Sequence, residues 1–242
     1  MRLDITLVTR NLVSSRNEAQ ELIEKGLVAI NGVIVTKSSK TVTDTDKITV
    51  TERRKFVSRG GEKLEGALLH VFGTREKIHR ACDNKSMLDV GASTGGFTDC
   101  LLSYGVSNVT TIDIGTNQLH EKLRADPRVT WHENTDIRNF ISSEDYDGIV
   151  ADLSFIPLEK VLTYLVGLVK EGGFFFLLIK PQFEVGKGNT KKGVVKDTSL
   201  VKDVLEKYKK VADEVQLKDI DIFPCTITGS DGNQEYFLYA KK

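Results

Sequence analysis

The amino-acid sequence predicts an α/β fold, in which a doubly wound, mostly parallel sheet follows a small α+β unit. From residue 62 onward, apolar runs typical of strands alternate with amphipathic segments typical of helices, as in a sheet covered on both faces. The run FFFLLI (174–179) shows no alternation, so it should be a strand buried on both faces. Two late runs, 215–225 and 235–242, follow each other without a helix, which predicts an antiparallel pair at the sheet edge.

The elements of this larger segment are predicted from hydrophobic period and from glycine stops. We expect helices at 62–72, 95–105, 117–126, 158–173 and 199–215, the last with Thr198 as its candidate cap. We expect strands at 86–91, 108–115, 146–155 and 174–183. In such a sheet, ligands bind at the carboxyl ends of the strands, so polar residues at those ends are candidates for function.

The first segment carries local signals for a helix and a hairpin. Ser15 and Glu18 have the spacing of a capping box ahead of an apolar helical face, and Gly26 ends that helix. Asn31-Gly32 stands between two short apolar runs, which is the strongest short-range signal for a hairpin. A further strand is expected at 46–50. Together these signals predict a small folded unit of mixed helix and strand.

Charge is distributed unevenly along the 242 residues, although the formal net charge is zero. Residues 1–61 carry 11 Lys and Arg against 7 Asp and Glu, so the remainder of the chain is acidic by four charges. A basic front end on a mildly acidic body is typical of an appended nucleic-acid-binding module. We therefore expect a binding domain at 1–50, a basic linker at 51–61 and a larger domain at 62–242.

Composition argues against several classes of protein. With 40% hydrophobic and 28% charged residues, the chain resembles an ordinary globular protein. Three widely spaced cysteines without a CxxC pair argue against a disulfide framework and against zinc. No apolar run approaches the ~18 residues of a membrane span, and the N-terminus lacks the apolar stretch of a signal peptide. We expect a cytoplasmic protein without metal or membrane, and we favour a monomer.

A glycine-rich turn, LDVGASTGGFTD (88–99), follows the first strand of the larger domain. Within this segment, Asp89 lies on the strand just before the first glycine, and a carboxylate there tolerates the sulfonium of S-adenosylmethionine better than a pyrophosphate. Asp113 lies 22 residues after Gly91, where it can accept ribose hydroxyls, and Asp136 is placed for an adenine amino group. The alternative is that these aspartates merely cap turns or helices. The candidate cofactor-binding residues are Asp89, Gly91, Ala92, Ser93, Gly95, Gly96, Phe97, Thr98, Asp113, Ile114, Asp136, Ile137 and Asp152.

Four polar residues stand in the settings SRGGEKLEGAL, IVADLSF, LLIKPQFE and GNQEYFLYA: Lys63, Asp152, Lys180 and Glu235. A ribose hydroxyl is a very weak acid, so its methylation needs a base. A free lysine, with a pKa of about 10.4, becomes a base when a second cation or burial opposes its protonation. Lys180 beside Lys63 fits that role, with the carboxylates orienting the amines. Taken singly, each residue is better explained as a surface charge, a strand-end charge or a cross-strand partner, and only the four together favour catalysis.

The larger domain resembles the FtsJ-type (RrmJ-type) ribose methyltransferases, whose Lys-Asp-Lys-Glu tetrad occurs in the order of these four residues. The first segment resembles an S4-type RNA-binding domain. The combination is similar to the TlyA-type, or haemolysin A-like, rRNA 2′-O-methyltransferases. The resemblance implies that GASTGGF is the cofactor loop and that RKFV (54–57) lies at the interdomain linker tetrapeptide. It also implies methylation of cytidine 2′-hydroxyls by S-adenosylmethionine, with ribosomal RNA or ribosomal subunits as the partner.

Basic residues that could contact RNA occur in both segments and between them. The stretch IKPQFEVGKGNTKKGVVKDT (179–198) has five lysines and no helical pattern, and long irregular loops are usually functional or mobile. We expect it to lie over the active site and to contact phosphates, the alternative being a loop that only shields the site. The candidate RNA-binding residues are Arg2, Arg10, Arg16, Arg54, Arg59, Lys187, Lys191 and Lys192.

Two other classes of function were weighed on the same residues. A non-catalytic RNA-binding or ribosome-binding factor would be indicated by an eroded tetrad or cofactor loop, and both are intact. A membrane-active haemolysin would need a lytic segment. The helix expected at 199–215 has acidic residues among its lysines, which is typical of an ordinary surface helix.

Overall fold

The computed structural model describes residues 1–13, 15–51, 55–154, 156–186, 188–229 and 231–242. The chain forms two compact units, which comprise Met1–Ser58 and Arg59–Lys242. Each unit has a hydrophobic core built from its own residues. The candidate catalytic and cofactor-binding residues all belong to the second unit.

The first unit packs two helices against a small sheet. Its elements are α1 (Leu3–Thr9), α2 (Arg16–Glu24), β1 (Val28–Ile30), β2 (Val33–Ile34) and β3 (Ile48–Val50). The strands are antiparallel in the order β2-β1-β3, so β1 is central. Leu3 and Leu7 of α1 are fully buried with Ile23 of α2 and Val28 of β1, and they form the centre of the core.

Local signals in this unit behave as predicted. The Ser15 hydroxyl accepts the Glu18 backbone N–H at 3.2 Å, which confirms the N-cap of α2. Gly26 follows the helix with φ +70°, and the two-residue turn at Asn31-Gly32 has φ +50° and +84°. The hairpin is therefore confirmed, and its turn has both central residues in the left-handed region as type I′ requires. Helix α1 was not predicted, although its two buried leucines are spaced one helical turn apart.

The second unit alternates helices and strands. Its helices are α3 (Arg59–Phe72), α4 (Arg75–Cys82), α5 (Gly96–Ser103), α6 (Glu121–Arg124), α7 (Glu159–Gly167), α8 (Pro181–Glu184) and α9 (Thr198–Glu214), with a 3-10 turn at Ile137–Asn139. Its strands are β4 (Ser86–Val90), β5 (Asn108–Ile112), β6 (Val129–His132), β7 (Tyr146–Ala151), β8 (Val169–Ile179), β9 (Lys218–Pro224) and β10 (Tyr236–Lys241).

These strands form one sheet in the order β6-β5-β4-β7-β8-β10-β9. Strands β4 to β8 are parallel, and the chain runs outward from β4 in one direction and from β7 in the other. The topological switch point therefore lies between β4 and β7. Ligands of open α/β sheets bind outside the carboxyl ends of the strands at such a point.

The end of the chain completes the sheet as predicted. Strands β9 and β10 form an antiparallel pair at its edge, with β9 outermost and β10 also paired to β8. The six residues of Phe174–Ile179 are all buried, which confirms a strand covered on both faces. Insertion of β10 brings its first residue opposite the last residue of β8, since Tyr236 pairs with Ile179.

Several local predictions differ from the structure. The helix expected at 158–173 ends at Gly167, because residues from Val169 onward already belong to β8, and the strand expected at 174–183 ends at Ile179. The stretch 179–198, expected to lack a helix, contains α8. Helix α3 begins at Arg59 rather than at residue 62, so the Gly60–Gly61 pair lies in its first turn. Helix α4 was not predicted, and the helix expected at 117–126 is reduced to the four residues of α6. Asp197 caps α9 in place of Thr198, because its carboxylate accepts the Ser199 N–H at 2.8 Å.

Within the described ranges, no helix is long and apolar enough to cross a membrane. The three cysteines, Cys82, Cys100 and Cys225, are buried as free thiols. Burial raises the pKa of the Cys82 thiol to about 12, so this group is a neutral core residue at physiological pH.

Candidate active site

The glycine-rich turn leaves β4 at the switch point and passes close to the end of β7. Gly91 has φ +81°, and a Cβ there would meet the backbone oxygen of Asp152 at 2.5 Å. The Asp152 backbone N–H donates to the Val90 oxygen at 3.0 Å, which holds the ends of the two strands together. Only glycine fits at position 91, because any side chain would displace the backbone of Asp152.

Asp89 is a buried carboxyl beneath this turn. Its Oδ2 accepts the Thr98 backbone N–H at 3.0 Å and the Thr98 hydroxyl at 2.6 Å. Its Oδ1 is buried and has no hydrogen-bond partner in the described part of the chain. Burial, reinforced by the charges of Asp152 and Asp113, raises the pKa of Asp89 to about 7. A cation bound nearby would therefore favour the ionised form of this group.

Asp113 follows β5 and closes the other side of the turn. Its carboxylate accepts the Ser93 N–H and the Gly115 N–H, each at 2.7 Å. These bonds tie the glycine-rich turn to the end of the neighbouring strand. Each carboxylate oxygen keeps lone-pair capacity for a further donor, such as a hydroxyl of a bound ligand.

Lys63 and Glu235 form a buried ion pair. The Lys63 Nζ donates to Glu235 Oε2 at 2.6 Å, and the two side chains are only 11% and 4% exposed. Glu235 Oε1 accepts the Gln182 amide at 3.4 Å, while the carbonyl oxygen of Gln182 is buried without a partner in the described residues. Gly229 packs against the same carboxylate, since a Cβ there would lie 2.7 Å from Glu235 Oε1.

Lys180 and Asp152 form a second ion pair at the ends of β8 and β7. The Lys180 Nζ lies 2.5 Å from Asp152 Oδ1 and donates to the Ser154 hydroxyl at 2.9 Å. The ladder of β8 and β10 ends with Ile179 paired to Tyr236, and Lys180 and Glu235 are the next residues beyond that pair. The two ion pairs therefore lie at the same end of the two paired strands.

A buried carboxylate on α8 anchors the segment that follows Lys180. Glu184 accepts the Leu158 backbone N–H at 3.2 Å and is hydrogen-bonded to the Tyr208 hydroxyl of α9. Lys207 Nζ lies 3.7 Å from Glu184 Oε2. Glu184 thus links the chain that follows Lys180 to the chain that follows Asp152, since Leu158 lies six residues after Asp152.

Comparisons with known proteins identify the family of the chain. The family model described as FtsJ-like methyltransferase matches residues 56–242, and the S4 domain model matches residues 1–48. The chain belongs to the FtsJ-like methyltransferase family. It is 38% identical to hemolysin A of Brachyspira hyodysenteriae, with 99% of both chains covered.

Two further relatives have names that describe an enzyme. The FtsJ-like chain is 40% identical to the 16S/23S rRNA (cytidine-2'-O)-methyltransferase TlyA of Mycobacterium tuberculosis, covering 99% of this chain and 89% of that one. It is 36% identical to the 23S rRNA (cytidine-2'-O)-methyltransferase TlyA of Campylobacter jejuni, covering 99% and 98%. The resemblance to TlyA-type, haemolysin A-like proteins is thereby confirmed.

Solved structures share the fold of the FtsJ-like chain. A structure from Streptococcus thermophilus assigned as a hemolysin matches with a TM-score of 0.77 at 32% identity, covering 100% of this chain and 88% of that one. The N-methyltransferase NodS of Bradyrhizobium japonicum, solved with S-adenosylhomocysteine, matches with a TM-score of 0.50 at 14% identity, covering 76% and 99%. The expected Rossmann-like methyltransferase fold with an S4 domain at the N-terminus is confirmed.

The candidate cofactor-binding residues of the FtsJ-like domain fall into two groups. Asp89, Asp113 and Asp152 meet around the turn formed by Gly91, Ala92, Ser93, Gly95 and Gly96, as described above, and Thr98 bonds to Asp89. The side chains of Phe97 and Ile137 instead lie in the hydrophobic core, Phe97 against Phe237. Ile114 is 74% exposed directly after Asp113.

Two positions around the turn make contacts that were not expected. Gly95 has φ +93°, and a Cβ there would meet Leu123 at 2.2 Å, so its close neighbour is the core of the protein. Asp136 pairs with the Arg138 guanidinium through two bonds from Nε, at 2.9 and 3.1 Å, and this pairing lowers the pKa of Asp136 to about 2. The Asp136 carboxylate therefore has less capacity left to accept a hydrogen bond from an adenine amino group.

The candidate RNA-binding arginines of the S4 unit make internal hydrogen bonds. Arg2 binds both oxygens of the buried Asp4 at 2.9 and 3.0 Å, and Arg16 Nε donates to the same carboxylate at 2.9 Å. Arg10 donates to the backbone oxygens of Asp46 and two neighbouring residues. The three arginines remain exposed or partly exposed. Their roles toward RNA stay predictions.

The other candidate RNA contacts come later in the chain. Arg59 donates to the Thr228 oxygen at 2.6 Å. Lys191 and Lys192 are exposed on the loop before α9. Arg54 and Lys187 lie outside the described residues.

Sequence reasoning did not single out Ser154 and Gln182, which contact Lys180 and Glu235 respectively. Both lie within two residues of a tetrad member, in ADLSF and IKPQFE, so proximity in the motif was the available signal. Among the described residues, no group of three or more His, Cys, Asp or Glu side chains is arranged to hold a metal ion.

Proposed function

We propose that this chain transfers a methyl group from S-adenosylmethionine to the 2′-hydroxyl of a cytidine in ribosomal RNA. The observation that carries the proposal is the adjacency of two lysine–carboxylate pairs, Lys63–Glu235 and Lys180–Asp152, beside the glycine-rich turn. Two relatives, from Mycobacterium tuberculosis and Campylobacter jejuni, are named as rRNA (cytidine-2'-O)-methyltransferases, which supports the same substrate class.

The residues around the turn fit S-adenosylmethionine. Three carboxyl groups, Asp89, Asp113 and Asp152, act on one another electrostatically, and one oxygen of Asp89 is buried without a partner among the described residues. Such a concentration of negative charge suits a cationic ligand without phosphates. Asp113 would hold the ribose hydroxyls of the cofactor, and the backbone of the turn would lie along it. When bound, S-adenosylmethionine supplies a methyl group on a sulfonium centre, which leaves as a neutral thioether.

Lys180 is the proton acceptor in this proposal. As the ribose oxygen forms its new bond to carbon, the hydroxyl proton passes to Nζ of Lys180. Asp152, 2.5 Å from Lys180 Nζ, and the Ser154 hydroxyl restrict where that nitrogen can lie. A base fixed in place contributes typically 100- to 10,000-fold to such a step.

Lys63 supplies positive charge next to the same centre. Its ammonium is held by Glu235 in a nearly water-free position, where a charge acts more strongly on a developing alkoxide than it would in water. Glu235 also receives the Gln182 amide, so its position is defined from two sides. Correct alignment of oxygen, methyl and sulfur contributes further to the rate.

The S4 unit would bring RNA to this centre. Excess positive charge over residues 1–61 suits the phosphate backbone, and binding that rests on such contacts weakens steeply with salt. Ribosomal RNA, free or in a subunit, is the partner that we propose.

The proposal is tested by methyl transfer from labelled S-adenosylmethionine to purified ribosomal subunits and to naked rRNA, with identification of the product nucleoside. Wild type is compared with Lys180→Ala and Lys180→Arg, because arginine keeps the charge and cannot act as a base. Lys170→Ala is the matched control, since Lys170 stands at the opposite end of β8 in an ion pair with Asp147.

We expect a 2′-O-methylcytidine from wild type and from the control. Both Lys180 variants should be slower by at least about 100-fold, with unchanged affinity for the cofactor. Full activity of Lys180→Arg would exclude the base, and no transfer to any RNA despite cofactor binding would favour a non-catalytic ribosome factor.

A further inference from the structure

The loop between α8 and α9 contains a tight turn that carries two lysines. The Lys191 N–H donates to the Val194 oxygen at 2.9 Å, and the Val194 N–H donates to the Lys191 oxygen at 3.0 Å. The two residues between them, Lys192 and Gly193, have φ +53° and +80°. The left-handed region is unfavourable for lysine, so this turn persists only where its surroundings hold it.

Asn233 provides that hold. Its side chain is 3% exposed, and both of its polar atoms are used on the loop. Its Nδ2 donates to the Gly193 oxygen at 2.9 Å, and its Oδ1 accepts the Val195 N–H at 3.0 Å. A buried amide that is satisfied on both sides fixes the backbone it contacts, because losing that backbone would leave two buried groups unpaired.

The segment that carries Asn233 leads directly into the catalytic site. Asn233 lies two residues before Glu235, and its backbone oxygen accepts the Gly229 N–H at 2.9 Å. Gly229 in turn packs against Glu235 Oε1. The turn is therefore fastened to the same short segment that positions the partner of Lys63.

The lysines on this loop face solvent. Lys191, Lys192 and Lys196 are exposed, and none of them forms an ion pair with a carboxylate in the described part of the chain. Asp197, the nearest acid, is engaged in capping α9. Unpaired lysines on a fixed turn suit phosphate oxygens, which accept ammonium groups as point charges.

We propose that Asn233 is a positioning residue that fastens the Lys191–Val194 turn to the Glu235 segment, so that Lys191 and Lys192 bind RNA phosphates beside the target nucleotide. This inference rests on the proposed function for its RNA partner. The fastening itself belongs to the protein alone and can be measured without RNA.

The first measurement is the rate of tryptic cleavage after Lys191 and Lys192 in the full chain without ligands. Asn233→Ala should be cut on the order of tenfold faster than wild type, because both side-chain bonds to the loop are lost. Asn233→Asp, which keeps the acceptor for the Val195 N–H, should be intermediate. Asn189→Ala is the matched control, since among the described residues the Asn189 side chain bonds only to Val185, before the turn, and this variant should be cut at the wild-type rate.

The second measurement is methyl transfer as a function of RNA concentration. Asn233→Ala should raise the KM for RNA about fivefold to tenfold, and its affinity for S-adenosylmethionine should stay within twofold of wild type. The double charge reversal Lys191→Glu/Lys192→Glu should raise KM and reduce the slope of log affinity against log salt by about 1.5. Added to Asn233→Ala, it should raise KM by much less than it does alone, since both changes act through one contact.

Wild-type cleavage rates in Asn233→Ala, or fully multiplicative effects of the two changes on KM, would overturn the proposal. If Asn233→Ala does not fold, Asn233→Asp is judged by the same two criteria. If wild type methylates no RNA, the proposed function fails, while the cleavage rates still decide whether Asn233 holds the turn.

Discussion

Asp89 is a buried carboxyl whose protonation depends on the charges around it. Thr98 satisfies one of its oxygens, and the other has no partner in the described residues. Burial raises its pKa from 3.8 to about 7, so near neutrality the carboxyl is partly protonated. A bound cation would supply the missing interaction and favour the ionised form.

Asp89→Asn should flatten the dependence of stability on pH. Between about pH 4 and pH 7, folded Asp89 holds a proton that the unfolded chain has released, so stability falls as pH rises through this window. An amide does not titrate. The free energy of unfolding of the variant relative to wild type should therefore increase by roughly 1 to 3 kcal/mol from pH 5 to pH 8.

Urea unfolding of the ligand-free proteins at several pH values provides this measurement. The two stability curves should diverge as pH rises, with wild type losing more. Curves that stay parallel across the range would mean that Asp89 has an ordinary pKa in the folded chain.

At the scale of elements, the active site depends on where three strands end. β4 leads into the glycine turn, β7 into Asp152, and β8 into Lys180. Insertion of β10 next to β8 then places Glu235 and Lys180 directly beyond the last pair of the two strands, Tyr236 and Ile179. Strand register, rather than any single contact, therefore brings the two ion pairs side by side.

Gly91→Ala should damage the junction of β4 and β7. The new Cβ would lie 2.5 Å from the Asp152 oxygen, in a backbone conformation with φ +81° that alanine rarely adopts. Relief requires movement of the residue that pairs with Lys180. We expect at least about tenfold weaker binding of S-adenosylmethionine and a Tm lower by several degrees.

Gly167→Ala is the control for this change, because Gly167 is the last residue of α7 and a Cβ there would have open space around it. It should leave both quantities near the wild-type values. Isothermal titration and thermal unfolding compare the two variants directly, and equal behaviour would show that the close approach at Gly91 is dispensable.

At the scale of the whole molecule, the chain forms two units, each with its own hydrophobic core. The core of the first unit centres on α1, α2 and β1, and that of the second on the large sheet. Asp4 is the key polar residue of the first unit, since Arg2, Arg16 and Gln20 all donate to its buried carboxylate. These bonds, led by that from Arg2, hold the pKa of Asp4 well below its usual range.

Asp4→Asn should loosen the first unit and leave the cofactor site intact. An amide cannot satisfy two guanidinium groups, so amide hydrogens of α1 and α2 should exchange at least about tenfold faster. The affinity for S-adenosylmethionine should not change, because its proposed site lies within residues 59–242. Asp44→Asn, at an exposed position of the same unit, should change neither quantity.

The pH dependence of this contribution has the opposite sign to that of Asp89. Asp4 has a lowered pKa in the folded chain, so its contribution is complete above about pH 4 and is lost as the pH falls. Hydrogen exchange followed by mass spectrometry measures each unit separately. Equal acceleration in both units would show that they unfold together.

Local signals were enough to predict many elements. The capping box at Ser15, the turn at Asn31-Gly32 and the apolar run ending at Ile179 all act over a few residues, and each is present in the structure. Helix α1 has no side-chain cap, so only the packing of its leucines marks it. Helix α4 was missed although Thr74 caps it by accepting the Lys77 N–H. The helix expected at 117–126 was overestimated, since only Glu121–Arg124 is helical.

By itself, the sequence determined which residues are available for chemistry and which short segments they occupy, because motifs and turns depend on neighbours in the chain. Only the tertiary structure decided that Lys63 pairs with Glu235, 172 residues away, and Lys180 with Asp152. It also decided that Phe97 is a core residue and that Asn233 holds a lysine-bearing turn. Such pairings follow from the order of strands and their register, which depend on packing of the whole sheet.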